Sequence, residues 1–132
     1  MEQGTGAGGG RMAALLFIAL TIVFTVAGQL LIKYATFEIG QMPGRGKELG
    51  KFAFKAYTNW KVIAGLLAAF AASFTWLGAV SRSDISFAYP FMGLAIVLVL
   101  AVSPLLFGES VPITRWIGVM VVCVGIWIAA RN

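Results

Sequence analysis

The sequence contains no histidine, one cysteine and only five acidic residues among 132. Without histidine there is no imidazole-centred triad, no imidazole metal ligand and no imidazole proton switch. A single thiol, Cys123, supports neither an intrachain disulfide nor a thiolate metal cluster. The carboxylates are scattered at Glu2, Glu38, Glu48, Asp84 and Glu109, with no nucleophile–base arrangement around them; an enzyme is not expected. GRGK at 44–47 lacks the spacing and the Ser/Thr of a phosphate-cradling loop. ATP is therefore not expected, nor any cofactor or metal. Charged residues of both signs make up 11% of the chain against 60% apolar. That is too little polar surface to cover such a core in water.

What is present instead is four apolar stretches, at about 12–35, 60–80, 85–107 and 112–130. Each is near the roughly 20 residues needed to cross a bilayer as a helix. The expected fold is all-α, one integral membrane bundle of four transmembrane helices over 12–131. The connections SRSD at 81–84 and GESV at 108–111 are short, so consecutive helices run antiparallel. Ser110 is the expected N-cap of the last helix, with Pro112 in its first turn. Residues 1–11 read as a flexible Gly-rich tail. The apolar run after Arg11 continues to about residue 35, too long for a signal-peptide core.

The connection at 36–59 is the exception in length. A Gly/Pro loop (GQMPGRGKELG) leads into KFAFKAYTNWK, a basic–aromatic interfacial segment at about 50–61. As a helix it places Phe52, Ala56 and Trp60 on one side. The segment either anchors the chain in the headgroup zone or uses its lysines to attract an anionic lipid. The net charge of +5 lies beside apolar stretches, which points to lipid headgroups and away from nucleic acid. Counting basic residues puts the long loop in the cytoplasm and both termini outside.

Polar groups inside membrane helices are costly, so their positions are informative. Thr21, Thr25, Gln29 and Lys33 follow one another at intervals of four, forming a stripe on the first helix. The threonines suit interhelical hydrogen bonds or a cavity wall. Gln29 and Lys33 suit a cavity lining, and Lys33 also suits snorkelling to the interface. Gly28, beside the stripe, permits close approach of a helix or a substrate. Pro90 removes a backbone N–H next to Ser86 and Tyr89, bending the third helix or marking a site. Trp76 lies away from the usual aromatic-belt depth, as a cavity wall would. Asp84 beside Arg82 reads as a local pair. Glu109 reads as a solvated turn residue or a partner for Arg115 or a basic headgroup. Gly118 and Gly125 share one face of the last helix, a packing or dimerisation surface.

TVAGQLLIKYA, DISFAYPFMG, FGES and IGVMVVCVGIWI, in that order, resemble the small multidrug resistance branch of the drug/metabolite transporter superfamily. Within it the chain is most similar to the small flippase subunits for undecaprenyl phosphate-aminoarabinose. Ala27, Gly28, Gln29 and Lys33 match the pattern in the first helix, and Phe87, Ala88, Tyr89 and Pro90 that of the third. The likeness covers about 12–131 apart from much of the long loop. The proton-coupled drug exporters place a Glu in the middle of the first helix, where this chain has Thr25. The resemblance implies a transporter of the cell inner membrane that acts as a homodimer or as a heterodimer with a similar small subunit. Its expected cargo is an anionic lipid-linked sugar. Thr25, Gln29, Lys33, Trp76, Ser86, Tyr89 and Glu109 are the candidate substrate-binding residues, with Gly28 and Pro90 conformational. A small amphipathic compound exporter is the second expectation, and a non-transporting membrane subunit the third.

Overall fold

The computed structural model describes residues 6–131, with side-chain surroundings from residue 9 onward. The order is α1 (Gly6–Ile39), α2 (Lys47–Tyr57), α3 (Trp60–Arg82), α4 (Ile85–Phe91), α5 (Gly93–Phe107) and α6 (Ile113–Ala130). α1, α3, α4 with α5, and α6 provide four helical spans apolar and long enough to cross a membrane. The protein is thus an all-helical, multi-pass membrane protein. Helices are the natural solution here, because an unpaired backbone group in hydrocarbon costs several kcal/mol.

α1 starts earlier than expected. Residues 6–11, read above as tail, belong to the helix; residues 1–5 of that tail lie outside the described residues. Extending an existing helix adds one hydrogen bond per residue ordered, which is easier than nucleating one. The apolar segment of α1 therefore carries its first turns through the glycines. The membrane segment of α1, Gly9–Ile39, is 31 residues, about 45 Å at 1.5 Å per residue, so its ends reach beyond the hydrocarbon.

α1 and α3 form the spine. They run antiparallel with small residues in the seam. A Cβ placed on Gly28 would stand 2.9 Å from the Gly65 carbonyl, and one on Gly65 would stand 2.9 Å from the Gly28 carbonyl. Further along, the Thr21 and Thr75 hydroxyls meet at 2.7 Å, and Gly78 leaves room for the Phe17 ring. Without a hydrophobic force between helices in lipid, such close backbone approach is what holds them together. Thr21 also reaches the Phe17 carbonyl at 2.7 Å and Thr75 the Ala72 carbonyl at 3.0 Å. Two hydroxyl protons thus serve three contacts. Gly28 is accounted for as a helix-contact residue.

The third span is two helices. Pro90 sits inside α4, and the break falls at Met92 (φ −64°, ψ −17°). There the Met92 N–H donates to Tyr89 at 2.9 Å and the Ala95 N–H to Met92 at 3.0 Å. These three-residue spacings mark one tightened turn, so the disturbance lies just C-terminal to the proline. α5 continues through Pro104 and ends at Gly108, whose φ of +66° suits glycine.

Two details of the helix ends are corrected. Pro112, extended at φ −66°, ψ 155°, is the N-cap of α6 in place of Ser110; it has no N–H to leave unpaired. α2 ends at Tyr57, so Phe52 and Ala56 share its face while Trp60 opens α3. Asn59 is the joint: its Oδ1 accepts from the Lys61 N–H at 2.9 Å, and its Nδ2 donates to Glu38 at 3.0 Å. Lys61 Nζ reaches the same carboxylate at 3.1 Å. Ala35, Ile39, Ala56 and Val62 are buried together beneath, with Phe52 packed on them. α2 is thereby held against the ends of α1 and α3.

Candidate functional site

The polar stripe on α1 does not line one pocket. About 12 Å of helix separates Thr25 from Lys33 at 1.5 Å per residue, and the two belong to different cavities. The first, of about 270 Å³, lies within the membrane-spanning part of the bundle. Its walls are Thr21 and Thr25 from α1, Ala72, Ser73 and Trp76 from α3, Tyr89 from α4, and Met92 at the helix break. Trp76 and Tyr89 meet edge to face with centroids 5.7 Å apart, a favoured aromatic arrangement. The tightened turn at Met92 brings that residue into the wall. None of the residues lining this pocket is acidic or basic.

A second cavity, about 430 Å³, opens at the end of the bundle that holds the α3–α4 turn. It is lined by Arg11, Arg82, Ser83, Asp84, Ser86, Phe87 and Ala129. Arg82 and Asp84 form no ion pair among the described residues. Arg82 lies over the Phe17 ring at 5.0 Å and Arg11 over Phe87 at 4.8 Å, contacts that use the negative ring face. Ser86 and Tyr89 are three residues apart on α4, hence neighbours on one face. The arginine-lined vestibule and the uncharged pocket are therefore adjacent along α4.

The third cavity, about 690 Å³, lies at the opposite end between α1, α2 and α3. Lys33 lines it among Ile32, Ile39, Leu49, Phe52, Val62 and Leu66. Its ammonium stands 3.6 Å from the Glu109 carboxylate. Glu109 is thus paired with Lys33, not Arg115. Beside this pair, Tyr34 and Phe107 contact edge to face at 4.8 Å, joining α1 to the end of α5.

Of the candidate residues, the structure brings Thr25, Trp76 and Tyr89 together. It places Ser86 in the vestibule and Lys33 with Glu109 at the far end. Gln29 is exposed; it lines none of these three cavities and has no hydrogen-bond partner among the described residues. Gly118 and Gly125 have nothing within 4 Å, so their face is open on the single chain. Sequence reasoning overlooked Ser73 and Met92 as pocket walls, and Thr21, read as an interhelical bond or a cavity wall, is both. The three-residue interval from Ser73 to Trp76 was a usable signal for the first wall of α3. Arg11 was counted as a topology charge and Arg82 also as the partner of Asp84, and nothing local to them announced a shared cavity.

The sequence profile of the Small Multidrug Resistance protein family matches residues 49–122. Among curated proteins, the chain is similar to the probable 4-amino-4-deoxy-L-arabinose-phosphoundecaprenol flippase subunit of Aeromonas hydrophila subsp. hydrophila. The identity is 30%, over 84% of this chain and 91% of that protein. The proteins of the same name from Pseudomonas syringae pv. syringae and Aeromonas salmonicida are 29% and 28% identical. They align with 87% and 84% of this chain, and with 98% and 91% of their own lengths. No solved structure matches the chain.

Proposed function

The chain belongs to the small multidrug resistance family, and from that premise we propose that it is a flippase subunit of the cell inner membrane that carries a polyprenyl phosphate-linked sugar from one leaflet to the other. The observation that carries this reading is the uncharged pocket of Thr25, Trp76 and Tyr89 directly beside an arginine-lined vestibule. An anionic lipid-linked sugar has two demands. Its sugar needs aromatic faces and hydroxyls, which Trp76, Tyr89 and Thr25 supply. Its phosphate needs cations, which Arg11 and Arg82 supply as charge-assisted donors. The hydrocarbon chain stays in the bilayer throughout. An amino group on the sugar, as in the name of the relatives, would also suit the faces of Trp76 and Tyr89.

Movement of the headgroup between vestibule and pocket follows α4, past Ser86 to Tyr89. The break at Met92 is the natural hinge, because its tightened turn leaves fewer regular helical hydrogen bonds to disrupt. Interrupted helices near a midplane site are a common device of alternating access. The pocket is open on one side. Gln29, one turn from Thr25 and exposed, belongs with a second small subunit of similar build, either another copy or a related chain. Gly118 and Gly125 on α6 offer that subunit a further close-packing face.

The exporter of small amphipathic compounds is less well supported. No carboxylate lines the pocket, and Glu109 is paired with Lys33 at the far end. Proton exchange for a cation would lack its central group. Among the described residues no catalytic nucleophile and base are assembled.

The test is translocation in vesicles holding the full subunit set, read by a membrane-impermeant amine reagent that labels only outward-facing aminosugar headgroups. Trp76→Ala and Tyr89→Ala should each slow labelling while insertion and expression stay normal. Unchanged labelling in both would overturn the pocket assignment. Purified protein that copurifies with a glycolipid enzyme and moves no lipid would favour the non-transporting subunit.

A further inference from the structure

The chain carries ten lysines and arginines, and half of them are engaged within it. Arg11, Arg82 and Arg131 lie over the rings of Phe87, Phe17 and Trp127, at 4.8, 5.0 and 5.0 Å. Lys33 and Lys61 pair with Glu109 and Glu38. The other five, Arg45, Lys47, Lys51, Lys55 and Arg115, are exposed. Among the described residues none of these five has an ion-pair partner, a ring beneath it or a side-chain hydrogen bond.

The five share one end of the bundle. α1 ends there, α3 starts there, and α6 starts there with Arg115 in its first turn. Lys47, Lys51 and Lys55 recur at intervals of four on α2, so they form one stripe. Glu48 is the one carboxylate of α2. Residues 45–55 thus hold four cations against one carboxylate, a net charge of +3.

α2 has no freedom to turn this stripe inward, because its other side is occupied. Ala56 is buried with Ala35, Ile39 and Val62 at the ends of α1 and α3, and Phe52 packs on them. Asn59 and Lys61, just past its C-terminal end, are fastened to Glu38. The stripe therefore points away from the bundle, next to where the α3 span begins at Trp60. Aromatic rings accompany it. Phe54 is three residues from Lys51, hence its neighbour on the helix surface, and is 75% exposed. Tyr57 and Trp60 are exposed on the following turn. Water is a poor surrounding for such rings, whereas the headgroup level of a bilayer takes rings and cations together.

We propose that the outer side of α2 is a docking surface for the anionic headgroups of ordinary bilayer phospholipids, with Lys47, Lys51 and Lys55 as the contact stripe. These lipids are surroundings, not cargo, and the proposal stands whatever the chain transports. Charge complementarity selects the occupant: a stripe of unpaired cations beside a membrane span meets the phosphates of an anionic leaflet first. The cytoplasmic leaflet is the anionic one, which is where the basic residues put the long loop. The engaged arginines of the opposite end offer no such surface.

The experiment uses the full chain in phosphatidylcholine nanodiscs containing traces of a phospholipid with a diazirine near its glycerol. The probe is either phosphatidylglycerol or phosphatidylcholine, and adducts are mapped by mass spectrometry. On residues 47–57 the phosphatidylglycerol probe should exceed the phosphatidylcholine probe at least about fivefold, the scale of one cation near an anionic surface. At the α3–α4 turn the two should be equal. High salt should bring the α2 ratio toward one. So should the joint change Lys47→Gln, Lys51→Gln and Lys55→Gln, while the three arginine replacements should keep the ratio. Equal yields of the two probes on α2, or the same preference at the α3–α4 turn, would overturn the proposal. A trace of polyprenyl phosphate that abolishes the adducts, while added phosphatidylglycerol leaves them, would assign the stripe to cargo and overturn it too. The wild-type ratio and its salt dependence decide the matter even if the triple variant inserts poorly.

Discussion

The α1–α3 seam and α6 both carry spaced glycines, and the glycines mean opposite things. In the seam, Gly28 and Gly65 stand backbone to backbone, each Cβ position only 2.9 Å from the other's carbonyl. On α6, Gly118 and Gly125 face open space. Within the most apolar 18-residue stretch of each span, buried residues make up 28% in α1 and α3 but 6% in α6. Spacing alone does not separate a used small-residue face from a vacant one. The difference is whether another helix lies against the glycines, and on α6 nothing in the single chain does.

The strongest way to break this comparison is Gly65→Leu. Its side chain would meet Ile32 at 2.7 Å and the Gly28 carbonyl at 2.9 Å already at Cβ. Overpacking of this sort costs about 1–3 kcal/mol and more when backbone must move. The thermal midpoint in detergent should fall well below that of Gly118→Leu. Equal midpoints would dissolve the distinction between the two faces.

Next in size is the joint change Gly118→Leu with Gly125→Leu. It should leave the thermal midpoint of the single chain in place and lower the fraction of associated subunits seen by crosslinking in vesicles. A drop in midpoint without a change in association would mean that α6 uses this face within the chain.

Thr75→Val sharpens the seam further. It removes the Thr21 contact at 2.7 Å and returns Thr21 to the Phe17 carbonyl alone. Interhelical hydrogen bonds of this type average about 0.6 kcal/mol in membranes, so a small drop is expected in a denaturation series. A loss as large as that of Gly65→Leu would make the hydroxyl pair, rather than close backbone approach, the main tie.

The smallest effect is expected from Lys61→Ala. Its ion pair with Glu38 at 3.1 Å lies at the exposed α2–α3 joint, and such pairs contribute about 0–1 kcal/mol. The readout is protease access to the 40–59 segment, which should rise modestly while the α1–α3 seam keeps its stability.

Much of the fold was legible because the membrane imposes a strong rule: apolar runs of the right length must be helices. The three later spans fall within one or two residues of their expected bounds. The candidate site was legible only in parts. Thr25, Trp76 and Tyr89 stood out because polar or amphipathic groups within apolar helices are costly and therefore placed. Gln29 and Lys33 stood out for the same reason but share no cavity with Thr25. A stripe at intervals of four drifts around its helix, and a long helix passes several neighbours along its length. The Lys33–Glu109 pair joins positions 76 residues apart in sequence, and no local pattern encodes that meeting.

Residue order alone requires a helical membrane bundle without an acidic residue in the central part of its first span. Hydrocarbon penalises unpaired backbone and charge wherever they occur, so those features follow from composition and run length. Which polar groups share a space was settled by the three-dimensional packing. It split one apparent stripe between a small uncharged pocket and a larger cavity that Lys33 lines, left Gln29 exposed, and brought two arginines to one cavity. Those outcomes depend on which helices pack, at what depth and with which face, and in lipid that choice is made by small residues permitting close contact.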